Sequence, residues 1–239
     1  MDAPLTRRCR TAALRHEVPM TRSIPEATVA RLPLYLRALV ECSEADIVTI
    51  SSTGLAAASG VNAAIVRKDL SQLGAFGTRG VGYRVVELID EISSVMGLDQ
   101  DRAVVIVGIG NLGRALAAYD GFTRRGFDVV GLFDAADALV GQTIAGMVVE
   151  DAADLDTAVA DRGATIAVIA TPAAHAQETV DRLVANGVTA ILNFAPVHID
   201  SPEHVAVRKV DLSTELQILS FYEQLYASPG PDQQLATGT

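Results

Sequence analysis

The chain has 239 residues, room for one large domain or two small ones at about 100–200 residues each. Hydrophobic residues make up 49% and charged residues 20%, which excludes a disordered chain, and no apolar run approaches the roughly 18 residues of a membrane span. Two cysteines, Cys9 and Cys42, exclude a disulfide scaffold and a zinc-ligand spacing and leave a reducing cytoplasm as the expected location. The net charge of −10 argues against nucleic acid as a whole-chain property. Its distribution is uneven, however. Residues 1–97 hold 11 basic against 10 acidic residues, a net of +1, whereas residues 98–239 hold 8 against 19, a net of −11. Such asymmetry predicts two parts with different tasks.

Residues 1–23 carry Arg7, Arg8, Arg10 and Arg15 without an apolar pattern, and a disordered extension is expected; Met20 is an alternative start. No apolar stretch follows the arginines, so a secretory signal is not expected. A first helix is predicted from about Pro25 to Cys42, with Val29, Leu32, Leu36, Leu39 and Val40 on one stripe and Pro33 kinking or shortening it. A second follows Ile50, with Ser51 or Ser52 as N-cap. Ser59, Gly60 and Val61 form a turn. Asn62 then caps a third helix through Ile65, Val66, Leu70 and Leu73. Residues 74–85 contain Gly74, Gly77, Gly80 and Gly82, too many for a helix, and read as a glycine-rich hairpin. The N-terminal domain is therefore expected over 24–85, with a linking helix within 86–101 that ends near Gly97.

Over 102–212 strands and helices alternate, predicting a parallel sheet covered on both faces. Strands are expected at 103–107, 127–133, 147–149, 165–170, 189–192 and 205–210, and helices at 111–118, 152–160 and 173–186. A last helix at 213–226 has Leu216, Ile218, Leu219, Phe221, Tyr222, Leu225 and Tyr226 around its whole circumference, so burial on more than one side is expected. The tail, 227–239, is polar with two prolines and is expected to be disordered.

GIGNLG, Gly108 to Gly113, directly follows the strand AVVIV and opens a helix. In this context Gly108 makes the tight turn, Gly110 admits a pyrophosphate, and Gly113 lets helix and strand pack closely. The phosphates would meet the backbone of Ile109, Asn111 and Leu112 at the helix N-terminus. Asp134 ends the next strand, where a carboxylate can bind ribose hydroxyls; no arginine follows it, which favours NAD(H) over NADP(H). Thr171 and Pro172, after the strand TIAVIA, would line the dinucleotide. Asn193 and Phe194 of NFAP would lie near its nicotinamide end, with core packing as the other reading of Phe194. His175 is a possible acid–base group, or a surface histidine. A structural turn, or a site for CoA or another nucleotide, is the alternative for GIGNLG.

The N-terminal helices match a helix-turn-helix with a following wing. Asn62, Arg67, Lys68 and Ser71 lie on the third helix, and Arg79 and Arg84 on the wing. Asp69 is the one acid against four cations in residues 61–84. Such cations can read guanine edges and neutralise phosphates. The alternative is a helical cap with solvated charges.

Several segments resemble the Rex family of bacterial redox-sensing transcriptional repressors: IPEATVARLPLYLR (24–37), VRKDLSQLGAFGTRGVGY (66–83), VGIGNLGRALAAY (107–119), ILNFAP (191–196) and VDLSTEL (210–216). The resemblance covers residues 24–226. It implies an α/β protein with an N-terminal winged helix-turn-helix domain and a C-terminal Rossmann, CoA-binding-like domain. It further implies a homodimer that exchanges its C-terminal helix, binds palindromic operator DNA, and leaves it when NADH binds, with NAD+ as the competing ligand. By the same resemblance Arg37, Tyr119 and Asp211 form a switch, and no reaction, metal or membrane is involved. The competing classes are an NAD-dependent oxidoreductase, for which His175 is the one nearby candidate and no lysine lies between Lys68 and Lys209, and a nucleotide-binding module without DNA binding.

Overall fold

The computed structural model describes residues 24–74, 77, 78 and 80–227, which form two units dividing at Gly97 and Leu98. In the first unit, α1 (Glu26–Val29) and α2 (Leu32–Glu44) stand where one kinked helix was expected. Pro33 occupies the first turn of α2, where its missing N–H costs nothing, so the proline starts a helix here. The break resets the helical phase. Leu32, Tyr35, Ala38 and Leu39 are buried, while Val29 and Val40 of the expected stripe are exposed.

The next helices follow their caps. Ser51 accepts a hydrogen bond from the Gly54 N–H at 2.9 Å and opens α3 (Ser52–Ser59). Asn62 accepts from the Ala64 N–H at 2.8 Å and opens α4 (Ala63–Leu73). Within the glycine-rich segment Thr78 and Gly82 exchange reciprocal backbone hydrogen bonds at 2.8 and 2.9 Å, an antiparallel pairing of the kind expected of a hairpin. The strand β2 (Tyr83–Arg84) pairs antiparallel with β1 (Thr49–Ile50), a strand too short to show a pattern in the sequence. Arg79, assigned to the wing, lies outside the described residues. The helix α5 (Val85–Val95) contributes Val85, Leu88 and Ile92 to the core of this unit, so besides linking it forms one of its walls.

The second unit contains β3 (Arg102–Val107), α6 (Asn111–Ala117), β4 (Phe127–Asp134), β5 (Thr143–Ile144), β6 (Met147–Asp151), α7 (Leu155–Arg162), β7 (Ile166–Ile169), α8 (Ala173–Ala185), β8 (Ala190–Asn193), β9 (Ala206–Lys209) and α9 (Leu212–Ala227). The strands are ordered β5-β6-β4-β3-β7-β8-β9. From β6 to β9 every pairing is parallel, and the order is that of a doubly wound dinucleotide-binding sheet. Only β5, a short hairpin partner of β6 that the sequence reading missed, is antiparallel. Both sheet faces are buried. Val105, Val107 and Ile169 pack with α7 and α8 on one side, and Val104, Ile106 and Ile109 with Leu116 of α6 on the other. This two-sided burial explains the unbroken apolar run of β3. In the single chain the last helix, α9, leaves Leu216, Leu219, Phe221 and Tyr226 between 60% and 80% exposed.

Candidate functional site

The order of the parallel strands reverses between β3 and β7, and the ends of both strands meet there. Gly108 adopts φ +94°, and a Cβ on it would lie 2.6–2.7 Å from Ala170 and the Thr171 nitrogen. No other residue fits that position without moving the β7 end. A Cβ on Gly113 would strike the Gly108 carbonyl oxygen, which explains the close packing of α6 on β3. Gly110 is different: a Cβ there would meet nothing within 4 Å. The open space in front of it, at the start of α6, is room for a phosphate group.

Asp134 sits at the end of β4 beside this turn. Its Oδ2 accepts the Ile109 N–H at 2.6 Å and its Oδ1 accepts the Ala136 N–H at 2.8 Å. The Ile109 side chain is fully buried. Ile109 therefore orients the carboxylate, and its N–H is not the free phosphate donor that the motif suggests. Each Asp134 oxygen keeps a lone pair for a ribose hydroxyl, and the negative charge disfavours a 2′-phosphate. Asn111 and Leu112 are exposed at the start of α6.

On the β7 side, Pro172 precedes α8 and is exposed. The Thr171 Oγ1 is buried with no hydrogen-bond partner among the described residues. A hydroxyl without a protein partner at the mouth of a glycine turn has its bonding capacity open to a ligand or an ordered water. Together with the space before Gly110 and the Asp134 carboxylate, it fits a dinucleotide. Asn193 is buried and committed to its own loop: its Oδ1 accepts the Ala195 N–H at 2.8 Å and its Nδ2 donates to the Val197 carbonyl at 3.1 Å. It shapes the NFAP turn, which the sequence pattern did not reveal. Phe194 is half-buried and packs against the core on the α6 side of the sheet. His175 is exposed in the first turn of α8.

In the first unit, Arg67, Lys68 and Ser71 are exposed on one face of α4. Arg67 Nη1 donates to Ser52 Oγ at 3.0 Å, and Ser71 Oγ donates to the Lys68 carbonyl at 2.7 Å. Arg84 is exposed and paired with Glu87 at 2.8 Å. On the opposite face of α4 lies a polar cluster that sequence reasoning missed. Asp69 is 1% exposed. It receives Arg31 Nε at 2.6 Å, Arg31 Nη2 at 2.7 Å, Tyr35 Oη at 2.7 Å and Thr28 Oγ1 at 2.9 Å. Burial alone would raise the Asp69 carboxyl, but hydrogen bonds from Arg31, Tyr35 and Thr28 hold it below the usual carboxylate range. Burial, then the Asp69 carboxylate, pushes the Tyr35 phenol up to about 12. The available signal was an acidic residue at an inward helical position, one turn from Val66 and Leu73.

Arg37 belongs to the first unit, and Tyr119 and Asp211 to the second. Arg37 is exposed and lies 3.9 Å from Glu41. Tyr119 follows α6, is 53% exposed and packs edge-on against Phe122. Asp211 caps α9, accepting the Ser213 N–H at 3.0 Å and the Thr214 N–H at 3.4 Å, and pairs with Lys209 at 3.5 Å. The Thr214 N–H is the main cause holding its carboxyl below the ordinary range.

A helix-turn-helix unit joined to a Rossmann unit with this crevice defines a nucleotide-responsive DNA-binding protein. Residues 23–71 match the family model described as putative DNA-binding protein N-terminus, and residues 99–197 match that of the CoA binding domain. The redox-sensing transcriptional repressor Rex of Streptomyces coelicolor is 60% identical over 208 residues, covering 86% of this chain and 81% of that one. Its counterpart in Pelotomaculum thermopropionicum is 46% identical over 198 residues, covering 83% and 93%. The chain belongs to the Rex family of redox-sensing transcriptional repressors. A solved structure of RSP, a Rex-family repressor, in complex with NAD+ and operator DNA is 35% identical with a TM-score of 0.80, covering 90% of this chain and 99% of that one. The same protein in complex with NADH gives 36% and 0.76, covering 85% and 97%.

Proposed function

We propose that the chain is a repressor that holds a palindromic operator when NADH is scarce and releases it when NADH binds, NAD+ competing for the same crevice. The observation that carries this reading is the crevice at the strand-order reversal, with its glycine turn, fixed carboxylate and unpartnered Thr171 hydroxyl. It occurs in a chain whose other unit presents Arg67 and Lys68 from a helix-turn-helix. The cofactor-binding residues are Gly108, Gly110, Asn111, Leu112, Gly113, Asp134, Thr171 and Pro172, with Ile109 and Asn193 shaping the site and Phe194 at its edge. The operator-binding residues are Arg67, Lys68, Ser71, Arg79 and Arg84, and Asn62 caps their helix. Arg37, Tyr119 and Asp211 form the switch. Binding is reversible and no chemistry follows; the likeness to transcriptional repressors over most of the chain supports this over an oxidoreductase. The apolar surface around α9 supports exchange of that helix within a homodimer. No helix among the described residues is long and apolar enough to cross a membrane, and action on DNA supports a cytoplasmic location. A gel shift with an operator duplex, with and without NADH, tests the reading. Release by NADH is expected; retention of the complex at saturating NADH contradicts it.

A further inference from the structure

We propose that Asp69 is the positioning residue of the DNA-reading helix, setting the rotation of α4 so that Arg67, Lys68 and Ser71 face the operator. The inference rests on the repressor reading above. An α-helix turns about 100° per residue, so Asp69 and its neighbour Lys68 point to different sides of α4. The apolar contacts of α4, through Val66 and Leu70, are undirected and tolerate small rotations. The bonds to Asp69 do not. Thr28 reaches it from α1, Arg31 from the junction of α1 and α2, and Tyr35 from within α2. Arg31 closes a two-pronged bond on both carboxylate oxygens, which fixes the plane of the group as well as its place. Thr28 Oγ1 also lies 2.8 Å from the Gln72 side-chain amide, one turn along α4. Four hydrogen bonds from three residues of α1, its junction with α2, and α2 must be met at once, which restricts the rotation of α4.

A buried ion pair is weak evidence for stability, because well-packed apolar groups often replace it without loss; its best-attested use is to fix register. That distinction separates positioning from support. The variant Arg31→Met, Tyr35→Phe, Asp69→Leu removes one positive and one negative charge together, so the charge of the unit is unchanged. All the proposed DNA-facing residues remain.

The probes are a palindromic duplex selected by the wild-type protein from a random-sequence pool and a scrambled duplex of the same composition. We expect the full-length variant to melt cooperatively and to bind NADH and scrambled duplex within twofold of wild type. Its preference for the palindrome over the scramble should fall about tenfold, and any fall beyond threefold supports the proposal. A preference within threefold of wild type, including parallel weakening on both duplexes, overturns the proposal. If the triple variant does not melt cooperatively, Tyr35→Phe alone decides: a preference lowered more than twofold supports the proposal and a smaller change overturns it. A wild-type protein that selects no palindrome refutes the repressor reading instead, which keeps the two failures apart.

Discussion

Thr171→Val tests the crevice through a reversal of sign. The Thr171 hydroxyl is buried and unpartnered among the described residues. Such a group costs about 1–3 kcal/mol relative to a satisfied one. Valine keeps the branched shape and replaces the hydroxyl with a methyl group. Without ligand, the substitution removes the cost, and each kcal/mol regained raises the melting midpoint by about 2–4 °C in a chain of this size. With NADH bound, the wild-type hydroxyl gains the partner that valine cannot use. The variant should then bind NADH about 5- to 150-fold more weakly. Calorimetric melting with and without NADH, together with a fluorescence titration of NADH, reads both effects on one sample. The variant should be the more stable protein without ligand and the less stabilised one with it. A lower midpoint without NADH combined with unchanged NADH affinity would refute the assignment of Thr171 to the ligand.

Asp134→Ala should lower NADH affinity at least about tenfold, because a charged acceptor contributes roughly 1.5–3 kcal/mol, and should narrow the gap between NADH and NADPH; equal wild-type affinity for both cofactors would sink the role of the carboxylate. Tyr119→Phe should fold, bind each ligand separately, and shift the NADH concentration that releases the operator; an unchanged release midpoint would show that its hydroxyl is not part of the switch. The raised Tyr35 phenol, at about 12, contributes stability that is complete below its ordinary value near 10 and lost as pH rises towards 12. The lowered Asp69 carboxyl contributes stability that is present above the ordinary carboxylate range and lost as pH falls below it. Tyr35→Phe should therefore flatten the alkaline limb of the melting profile and, because it also removes one of the hydrogen bonds that lower the Asp69 carboxyl, shrink the acid limb without abolishing it; a profile unchanged between about pH 9 and 12 would contradict the assignment.

Much of the second unit was legible because its strands are buried on both faces and its turn motif has a steric cause: at Gly108 and Gly113 a side chain would collide with backbone. The capping residues Ser51 and Asn62 were legible because their side-chain oxygens satisfy N–H groups in the first turn of the helices they open. The phase of the first helix was not, since Pro33 serves equally to kink a helix and to begin one, and a two-residue strand such as Thr49–Ile50 has no period. Asn193 had the same residue type for either role, and only its bonds to Ala195 and Val197 distinguish them. The cluster around Asp69 depends on partners 34 to 41 positions away, which no local pattern encodes.

One protein that couples two ligands must couple them reciprocally: whatever factor NADH takes from operator affinity, the operator takes from NADH affinity. The direct measurement is the dissociation constant of NADH by fluorescence, with and without a saturating operator duplex, set against that of the operator by anisotropy, with and without saturating NADH. Each ligand should weaken the other by the same factor, of about 5- to 150-fold for a coupling of roughly 1–3 kcal/mol, and NAD+ should do so far less. An NADH affinity unchanged by the operator would contradict this coupling.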